Sequence, residues 1–559
     1  MDAKAPAHPF LDAILDQAPR VMGLMDREAL SPTVGCCDRT YWAWKFVDFP
    51  GARFQESLCV MGFLYGTEAA GEPYYGNPNL LRWIELGLDY WCSIQYRDGS
   101  FDEAYPYERS LAATAFTSFY VSEGIRFVGD ALPQATKARA TLALRKAGDW
   151  LVTHDEHHGF LSNHLAAAAA ALMNIHLLTG DPKYKERCRY FVDKILAHQS
   201  SEGWYEEYGG ADPGYQTHGS FYLARIWQLD PDDRLLDSIE RSMRFLSYFL
   251  HVDKSLGGEY ASRNTQTYYP AAFEMLASER GVASWVADTM REAVGTASAA
   301  GLRSVDAYNY FPFLNNLVFA HVASEARTKM AEHDPPEQAN GVVWFPKAGL
   351  ARVRKEAYDA YIGARKGGVL KVFDRRRGAL VYNDCGYLGR MKSKKLCSNQ
   401  YEDLEREAEV DAHGITVRGR FVQLSKPIMS PLKFMAFRAF NMTAGQVPQL
   451  AFWMKNVLVK ALIYKKKELD LFFVRKVTLD ETSIVVRDVL SGDASSLAEL
   501  RWEPQFTTIH MGSSRYYVPN ELEVARGPAA RLQSTSVQLD RIADGLQIER
   551  RVSFDEDPA

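Results

Sequence analysis

The sequence predicts an α+β protein of two domains, in which an N-terminal incomplete (α/α) toroid over residues 1–335 precedes a C-terminal antiparallel β-sandwich over residues 340–559. Before about residue 335, apolar residues recur with the spacing of amphipathic helices. After about residue 340, β-branched and aromatic runs with partial alternation are separated by turn residues. The stretch EHDPPEQANG lies where the pattern changes, and its composition is typical of a linker.

Helical spacing occupies most of the first part of the chain. The segments lie near residues 54–70, 78–95, 108–129, 135–154, 162–180, 183–199, 213–229, 232–249 and 281–297. Asp-Pro pairs at 181–182, 212–213 and 230–231 each predict an N-cap followed by a proline in the first helical turn. Gly180 predicts a helix end.

The linkers between these helices alternate in character. Short turns such as residues 179–182 alternate with long loops rich in Gly, Tyr and Glu, at residues 96–110, 153–164, 200–218 and 255–270. The long loops recur about every 45–60 residues, the length of a helix pair, which indicates an irregular repeat. A ring of helical hairpins would gather the long loops at one mouth, where functional residues are expected.

Composition excludes several classes of function. The net charge of −5 argues against general nucleic-acid binding, which requires a positive field. The sequence lacks an apolar run of bilayer-spanning length, and its N-terminus lacks the basic start and apolar middle of a signal peptide. Seven cysteines without a CxxC pair predict neither disulfides nor a zinc site. We therefore expect no metal or other cofactor, and a cytoplasmic protein, or a periplasmic one if a signal peptide has been removed.

Two predicted helix starts carry polar side chains suited to an anion. Ser162 is a natural N-cap, which places Asn163 and His164 in the first turn, where free N–H groups and the helix dipole favour negative charge. Tyr215 and His218 are three residues apart and share one face of another first turn. An amide and an imidazole can hold a carboxylate; equally, capping and ordinary packing account for such residues.

Three of the long loops supply further candidates. In the loop at 96–110, the carboxylates of Asp102 and Glu103 could act as the acid or base of a glycosidase. Arg263 could form a bidentate pair with a uronate carboxylate, or it could hold two loops together. The candidate substrate-binding residues are Tyr105, Glu108, Arg109, Glu207, Tyr208, Arg263 and Asn264.

Two segments together resemble the heparinase II/III-type and alginate-lyase-type polysaccharide lyases. They are FLSNHLAAAAAALMNIHLLTGD and, about fifty residues later, SSEGWYEEYGGADPGYQTHGSFYLA. In those families an Asn-His pair opens an inner helix, and a loop of the form D/E-G-W-x-x-E-x-x-x-x-x-x-G-Y brings a catalytic tyrosine. The resemblance implies that Asn163 and His164 neutralise the substrate carboxylate and that Tyr215 is the catalytic acid or base. It also implies an (α/α) toroid followed by a β-sandwich.

The sequence departs from those families early in the β-domain. They commonly carry a His-x-His-x-Asp stretch there, whereas this chain reads FDRRRGALVYNDCGYLGRMKSKK. His413 and His510 are the remaining candidate histidines of that region. Neither a metal nor a second base is therefore predicted from this part of the chain.

We expect an enzyme that acts on an acidic polysaccharide or oligosaccharide by β-elimination. Removing the C5 proton of a uronate requires stabilisation of an enolate-like dianion, a base, and an acid for the leaving O4. Tyr215 can serve as both if the two groups leave from one face, and His218 or His164 can be the base if they do not. The alternatives are a uronate C5-epimerase, a glycoside hydrolase using Asp102, Glu103 or Glu207, and a non-catalytic glycan-binding protein.

Overall fold

The computed structural model describes residues 8–156, 159–207, 209–294, 301–424, 429–459, 467–505, 516–517 and 535–554. Within these ranges the chain is helical up to residue 326 and is built mainly of strands from residue 341 onward. The predicted combination of helix and sheet is therefore confirmed. Among the described residues, no helix has both the length and the apolar character needed to cross a membrane.

The helices of the first part are connected by the short turns and long loops that the sequence suggested. They are α1 (Pro9–Leu24), α2 (Ser57–Gly66), α3 (Pro78–Ser93), α4 (Leu111–Val128), α5 (Gln134–Thr153), α6 (Ser162–Thr179), α7 (Pro182–His198), α8 (Pro213–Leu229), α9 (Asp233–Ser247), α10 (Ala271–Leu276), α11 (Gly281–Met290) and α12 (Ala307–Ala326). A short hairpin of β1 (Glu206–Glu207) and β2 (Gly210–Ala211) precedes α8.

The even-numbered helices are neighbours in space. Each contacts the next from α2 to α12, and α12 returns to contact α2. Helix α4 is buried over almost its whole length, and α6 carries six consecutive buried alanines at 166–171. Helices that are apolar on all sides belong in an interior, whereas α9 has one apolar and one charged face. The even-numbered helices therefore form the inner layer, and α3, α5, α7, α9 and α11 pack against them.

Of the four predicted helix ends, three are confirmed, at Gly180, Asp181 and Asp212, and one is wrong. Asp181 caps α7 by accepting from the N–H of Lys183 at 3.1 Å, and Gly180 ends α6 in the left-handed region with φ of 73°. The prediction at 230–231 is wrong, because α9 begins after Asp232, whose side chain accepts from the N–H of Arg234 at 2.9 Å. Helices α1, α10 and α12 were not predicted; α12 is apolar on most sides and so lacks amphipathic spacing.

Two antiparallel sheets follow the helices. The first runs in sequence order through β3 (Gly341–Phe345), β4 (Leu350–Arg354), β5 (Tyr358–Gly363), β6 (Val369–Asp374) and β7 (Ala379–Asp384). The second has the order β15-β14-β8-β9-β11-β12-β13-β16, with β10 paired to β11. Its strands are β8 (Tyr387–Met391), β9 (Leu396–Ser398), β10 (Ala408–Asp411), β11 (Gly414–Leu424), β12 (Lys467–Leu479), β13 (Ser483–Gly492), β14 (Leu497–Trp502), β15 (Thr535–Ser536) and β16 (Leu546–Ser553).

The two sheets share one apolar core. Ile362 and Val372 of the first sheet belong to the same buried cluster as Val417, Phe473 and Val486 of the second. The outer side of the first sheet meets the helices, because Tyr361 and Phe373 lie in the apolar core of the helical part. The first sheet is thus packed between the helical ring and the second sheet.

Two helices interrupt the predicted run of strands. Helices α13 (Pro431–Met442) and α14 (Pro448–Val459) lie between β11 and β12 and are joined by residues 443–447; the two helices with this connection are called the hairpin α13–α14. Strands β11 and β12 nevertheless pair with each other, with Gln423 opposite Lys467. These two helices within the mainly β-stranded region were not predicted from the sequence, and the strands on both sides of the insertion pair with each other.

Candidate active site

Three inner helices begin side by side at the same end of the ring. Helices α4, α6 and α8 are neighbours, and each begins after one of the long loops. A β-bridge between Phe101 and Ser110 closes the first loop, and another between Leu161 and Glu207 joins the residue before α6 to the loop before α8. The side chains of these helix starts are consequently brought to one mouth of the ring.

The start of α6 is capped from another segment of the chain. The expectation that Ser162 is the N-cap is wrong: Ser162 is already helical, and its Oγ donates to the carbonyl of Glu206 at 2.8 Å. The carboxylate of Glu207 occupies the capping position, because Oε1 accepts from the N–H of Asn163 at 2.8 Å and Oε2 from its Nδ2 at 2.6 Å. Glu207 therefore fixes the orientation of the Asn163 amide.

Glu207 is buried, and its charge is balanced by neighbours. Burial raises the pKa of the Glu207 carboxyl to about 7, although the charge of Arg263 and the two donors of Asn163 oppose this rise. With its side chain buried, Glu207 contacts this helix start through its two hydrogen bonds to Asn163. Its predicted role as a direct substrate ligand stays a prediction.

His164 lies at the open side of this helix start. Its Nδ1 is 3.0 Å from Oε2 of Glu156, and its side chain keeps 21% of its surface exposed. The edge of the ring meets Phe116 of α4, with ring centroids 5.7 Å apart. Glu156 thus holds one ring nitrogen, which leaves Nε2 as the nitrogen available to a ligand.

His218 is enclosed by aromatic rings. It stacks against Tyr269, with centroids 4.4 Å apart and planes 9° from parallel, and against Phe116 on its other side at 5.8 Å. Its Nε2 lies 2.8 Å from the hydroxyl of Tyr222. Burial, together with the nearby charge of Arg53, lowers the pKa of His218 to about 3, so the ring is neutral at physiological pH.

Tyr215 and Arg263 are joined through Asp212. Asp212 Oδ1 accepts from the N–H of Tyr215 at 3.0 Å, as the predicted N-cap of α8 should, and Oδ2 accepts from the N–H of Arg263 at 2.8 Å. The Arg263 guanidinium lies over the Tyr215 ring, 4.1 Å from its centroid, as in a cation–π contact. Asn264 faces a different partner, since its Oδ1 accepts from Lys366 Nζ at 2.8 Å.

The loop at 96–110 is organised by one of the two proposed glycosidase carboxylates. Asp102 accepts from the backbone N–H groups of Tyr107 at 2.8 Å and Arg109 at 2.9 Å, and from the hydroxyl of Tyr96 at 2.5 Å. Burial raises its pKa to about 6. Both Asp102 oxygens are therefore used to shape the loop. Glu103 pairs with Arg53 at 2.9 Å, and the Arg53 guanidinium lies over the ring of Phe116, which contacts both His164 and His218.

The remaining loop candidates contact the helical hairpin α13–α14. The contacts are Tyr105 with Phe437 (ring centroids 5.0 Å apart), Glu108 with Lys455 Nζ (3.3 Å), and Arg109 Nη2 with the carbonyl of Gln446 (3.0 Å). The hairpin thus lies against the loop that borders the helix starts. Tyr208 and His510 lie outside the described residues.

Several residues of this site were not found from the sequence. They are Arg53, Phe116, Glu156, Tyr222, Tyr269 and Lys455. Arg53 precedes α2, and nothing in its sequence surroundings distinguishes it from an ordinary helix start. Tyr269 could have been suspected from the sequence, because it follows Tyr268 directly in TYYP, at the end of the candidate loop at 255–270.

Two other features lie apart from this cluster. In the described ranges, His8, His321 and Glu325 form a group of potential metal ligands whose atoms lie within 4.8 Å of one another, and none of them belongs to the site above. A cavity of about 570 Å³ is lined by Glu123 and Arg225, near the C-terminal ends of α4 and α8. The polar helix starts are at the other end of the same helices.

Comparison with known proteins finds a family match within the helical part and solved structures of similar fold. Residues 63–270 match the model of the ulvan lyase N-terminal domain. The chain is similar to the chondroitin AC lyase of Streptomyces coelicolor A3, solved in complex with chondroitin sulphate, with 13% identity, a TM-score of 0.54, and coverage of 90% of this chain and 68% of that one. A Paenibacillus xanthan lyase gives 10% identity, a TM-score of 0.54, and coverage of 90% and 47%.

At these identities the solved structures show the shared fold alone, and the chain spans about half the length of the xanthan lyase. No curated protein sequence matches the chain. The matched range contains Asn163, His164, Tyr215 and His218, and the resemblance to polysaccharide lyases is confirmed. Residues 63–270 therefore resemble the ulvan lyase N-terminal domain, in a chain that has the fold of the chondroitin AC and xanthan lyases.

Proposed function

We propose that this protein is a polysaccharide lyase that cleaves a uronic-acid-containing glycan by abstracting the C5 proton and eliminating the 4-linked group. The observation that carries the proposal is the placement of Asn163, His164, Tyr215 and His218 at adjacent helix starts, with Arg263 of the loop at 255–270 against Tyr215. Amide, imidazole, phenol and guanidinium groups are the groups that such an elimination needs. The matched proteins are named for ulvan, chondroitin and xanthan, and we therefore propose an acidic glycan as the substrate.

The proposed architecture follows from the same elements. The ring from α2 to α12 and its outer helices make up an incomplete (α/α) toroid over residues 1–335. The two sheets make up a β-sandwich over residues 340–559. The substrate would enter at the mouth where α4, α6 and α8 begin, with the loop at 96–110 and the hairpin α13–α14 along its border.

Stabilisation of the substrate carboxylate is assigned to the start of α6. The Nδ2 of Asn163 has two hydrogens, of which Glu207 accepts one, so the other can be donated to a carboxylate. His164 presents Nε2 beside it, because Nδ1 is held by Glu156. As the C5 proton leaves, negative charge builds up on the carboxylate, and donors fixed before the reaction stabilise that charge without reorganisation.

Proton transfer is assigned to Tyr215. Its ring is half-buried and held by the Arg263 guanidinium, and its hydroxyl is the group that would reach the sugar. His218 is packed on both faces, and one of its nitrogens is engaged by Tyr222, which makes it a poorer candidate for a base that must approach C5. Tyr215 therefore removes the C5 proton and returns a proton to O4 when both lie on one face of the sugar.

The test combines substrate screening with one substitution. Chondroitin sulphate, xanthan and ulvan are incubated with the protein, and the conjugated double bond of the unsaturated uronate product is followed by ultraviolet absorbance. Tyr215→Phe should lower kcat by about 100–10,000-fold and leave KM nearly unchanged, because only a hydroxyl acting in the transition state is lost. Tyr75→Phe, at an exposed tyrosine, is the matched control.

Other outcomes separate the alternatives. Full activity of Tyr215→Phe would rule out the assigned mechanism. Deuterium incorporated from solvent without cleavage identifies an epimerase. New reducing ends without ultraviolet absorbance, abolished by Glu103→Gln, identify a hydrolase.

A further inference from the structure

The hairpin α13–α14 has an apolar outer face. On α13, Leu432, Met435 and Met442 are 79%, 66% and 67% exposed, and their positions i, i+3 and i+10 fall on one side of a helix. On α14, Trp453 is 56% exposed and is flanked on the same side by two further exposed apolar residues, Leu450 and Val457. Each helix thus turns a continuous apolar stripe toward solvent.

The opposite face of the hairpin is anchored to the protein. Arg438 pairs with Asp48 at 2.9 Å, and Phe437 packs edge-on against Tyr105. Lys455 adds an ion pair to the loop at 96–110. Because these contacts involve the inner face of the hairpin, the apolar stripes on its other face point toward solvent.

A neighbouring loop extends the exposed apolar surface. Trp44 and Phe46 are 71% and 96% exposed, on either side of Lys45. This loop is tied to the hairpin, since Arg438 contacts both Asp48 and the ring of Phe49. Large contiguous apolar patches of this kind mark interaction surfaces in soluble proteins.

The charge of the same segment points to the partner. From Lys426 to Lys467 the sequence contains eight lysines and arginines and no aspartate or glutamate, although the whole chain has a net charge of −5. Lys433 is exposed between Leu432 and the rest of the α13 stripe. Basic residues around Trp, Phe and Leu side chains are the composition of helices that lie in an anionic membrane interface.

We propose that the outer face of α13–α14 binds the surface of an anionic lipid bilayer. Leu432, Met435 and Trp453 would enter the boundary between headgroups and acyl chains, and the exposed Lys433 beside Leu432 would contact the headgroups. A second copy of this chain on the same face would oppose two cationic segments across an isologous interface. A soluble acidic glycan suits the lysines but gives no reason for exposed leucine, methionine and valine.

The test uses the full-length protein and vesicles, with no glycan, so its outcome is independent of the proposed lyase activity. Sucrose-loaded vesicles of phosphatidylcholine alone, or of equal parts phosphatidylcholine and phosphatidylglycerol, are sedimented with the protein. The protein should sediment with the mixed vesicles, bind pure phosphatidylcholine more weakly, and lose binding as salt is raised. The double variant Met435→Asp/Trp453→Asp should reduce partitioning by about tenfold or more.

The matched control places the same charges on exposed leucines elsewhere. Leu142 and Leu177, on α5 and α6, are 56% and 53% exposed, and Leu142→Asp/Leu177→Asp should bind as the unaltered protein does. The proposal is overturned if the unaltered protein stays in the supernatant with mixed vesicles, or if Met435→Asp/Trp453→Asp sediments equally. Light scattering that finds a dimer converted to monomer by this variant, without vesicle binding, assigns the face to a second copy instead.

Discussion

At the scale of single residues, the pair of Glu207 and Asn163 tests whether the orientation of the Asn163 amide matters for turnover. In Glu207→Gln, one oxygen acceptor is replaced by an amide donor that faces a donor of Asn163, so one of the two hydrogen bonds is lost or the Asn163 amide turns over. We expect kcat to fall by about tenfold or more. Steady-state kinetics on the glycan that the screen identifies would measure it.

Glu206→Gln is the control. In the described structure, Asn163 donates to the carboxylate of Glu207, whereas Glu206 accepts from Ser162 through its main-chain carbonyl, which the substitution does not change. Thermal denaturation of both variants checks that the fold is retained. An unchanged kcat in Glu207→Gln would show that the orientation of the Asn163 amide is irrelevant to turnover.

His218 gives a prediction about pH and stability. Its folded pKa of about 3 lies below the ordinary value of 6.5, so between these values the unfolded chain binds more protons than the folded one. The stabilisation is fully present above pH 6.5 and is lost as the pH falls toward 3, up to about 5 kcal/mol. His218→Asn should therefore show a shallower loss of unfolding free energy on acidification, measured by urea denaturation across this range.

The exposed His333 supplies the comparison, since His333→Asn should follow the unaltered protein at every pH. If His218→Asn retained the full slope, the acid sensitivity would have to come from other groups.

The residues of the site that the sequence predicts are those marked by features close to them in the chain. Asn163, His164 and Tyr215 follow from caps, prolines and spacing within a few residues of each helix start. The prediction that Ser162 caps α6 is wrong because the side chain of Glu207, 45 residues later in the chain, accepts the hydrogen bond at this helix start. Arg53 could not be found, since its place beside Phe116 depends on packing between distant segments.

At the scale of secondary-structure elements, a buried charge network connects the two sheets. Arg475 of β12 is fully buried and pairs with Asp488, its cross-strand neighbour on β13, at 2.8 Å, and with Asp384 at the end of β7 at 3.0 Å. Burial raises the pKa of Asp488, but Arg475 and Arg550 outweigh it and hold the pKa at about 2. Removing one partner leaves an uncompensated buried charge.

Asp488→Asn should consequently lower the free energy of unfolding by about 3–5 kcal/mol, measured by urea denaturation near neutral pH. Asp544→Asn, at an exposed turn before β16, should leave it nearly unchanged. A loss of less than about 1 kcal/mol in Asp488→Asn would mean that the arginines find other partners.

Among the elements, periodicity identified most inner and outer helices but not the hairpin α13–α14. The segment of the two helices lies between β11 and β12, whose alternating apolar residues predict strands for the region as a whole. Its apolar residues also face solvent, so they do not follow the division into a buried and a wet face on which the prediction depends.

At the scale of the whole molecule, the sheets help to position the candidate site. Lys371 of β6 pairs with Glu259 at 2.7 Å, and Lys366 donates to Asn264. Both contacts end in the loop that carries Arg263. The change from helices to strands could be predicted from the sequence. The two lysine contacts could not, because each joins residues more than one hundred positions apart.

The pairing of β11 with β12 places the hairpin α13–α14 in the position of an oversized turn. Gln423 and Lys467 are opposite each other in an antiparallel ladder, so a two-residue turn could close the same pair. Lengthening such a connection costs only about 0.6 kcal/mol of loop entropy per doubling. An ancestral fold could therefore have gained or shed this segment by insertion or deletion with the strand ladder intact, and attachment to a surface could evolve separately from the chemistry of the cleft.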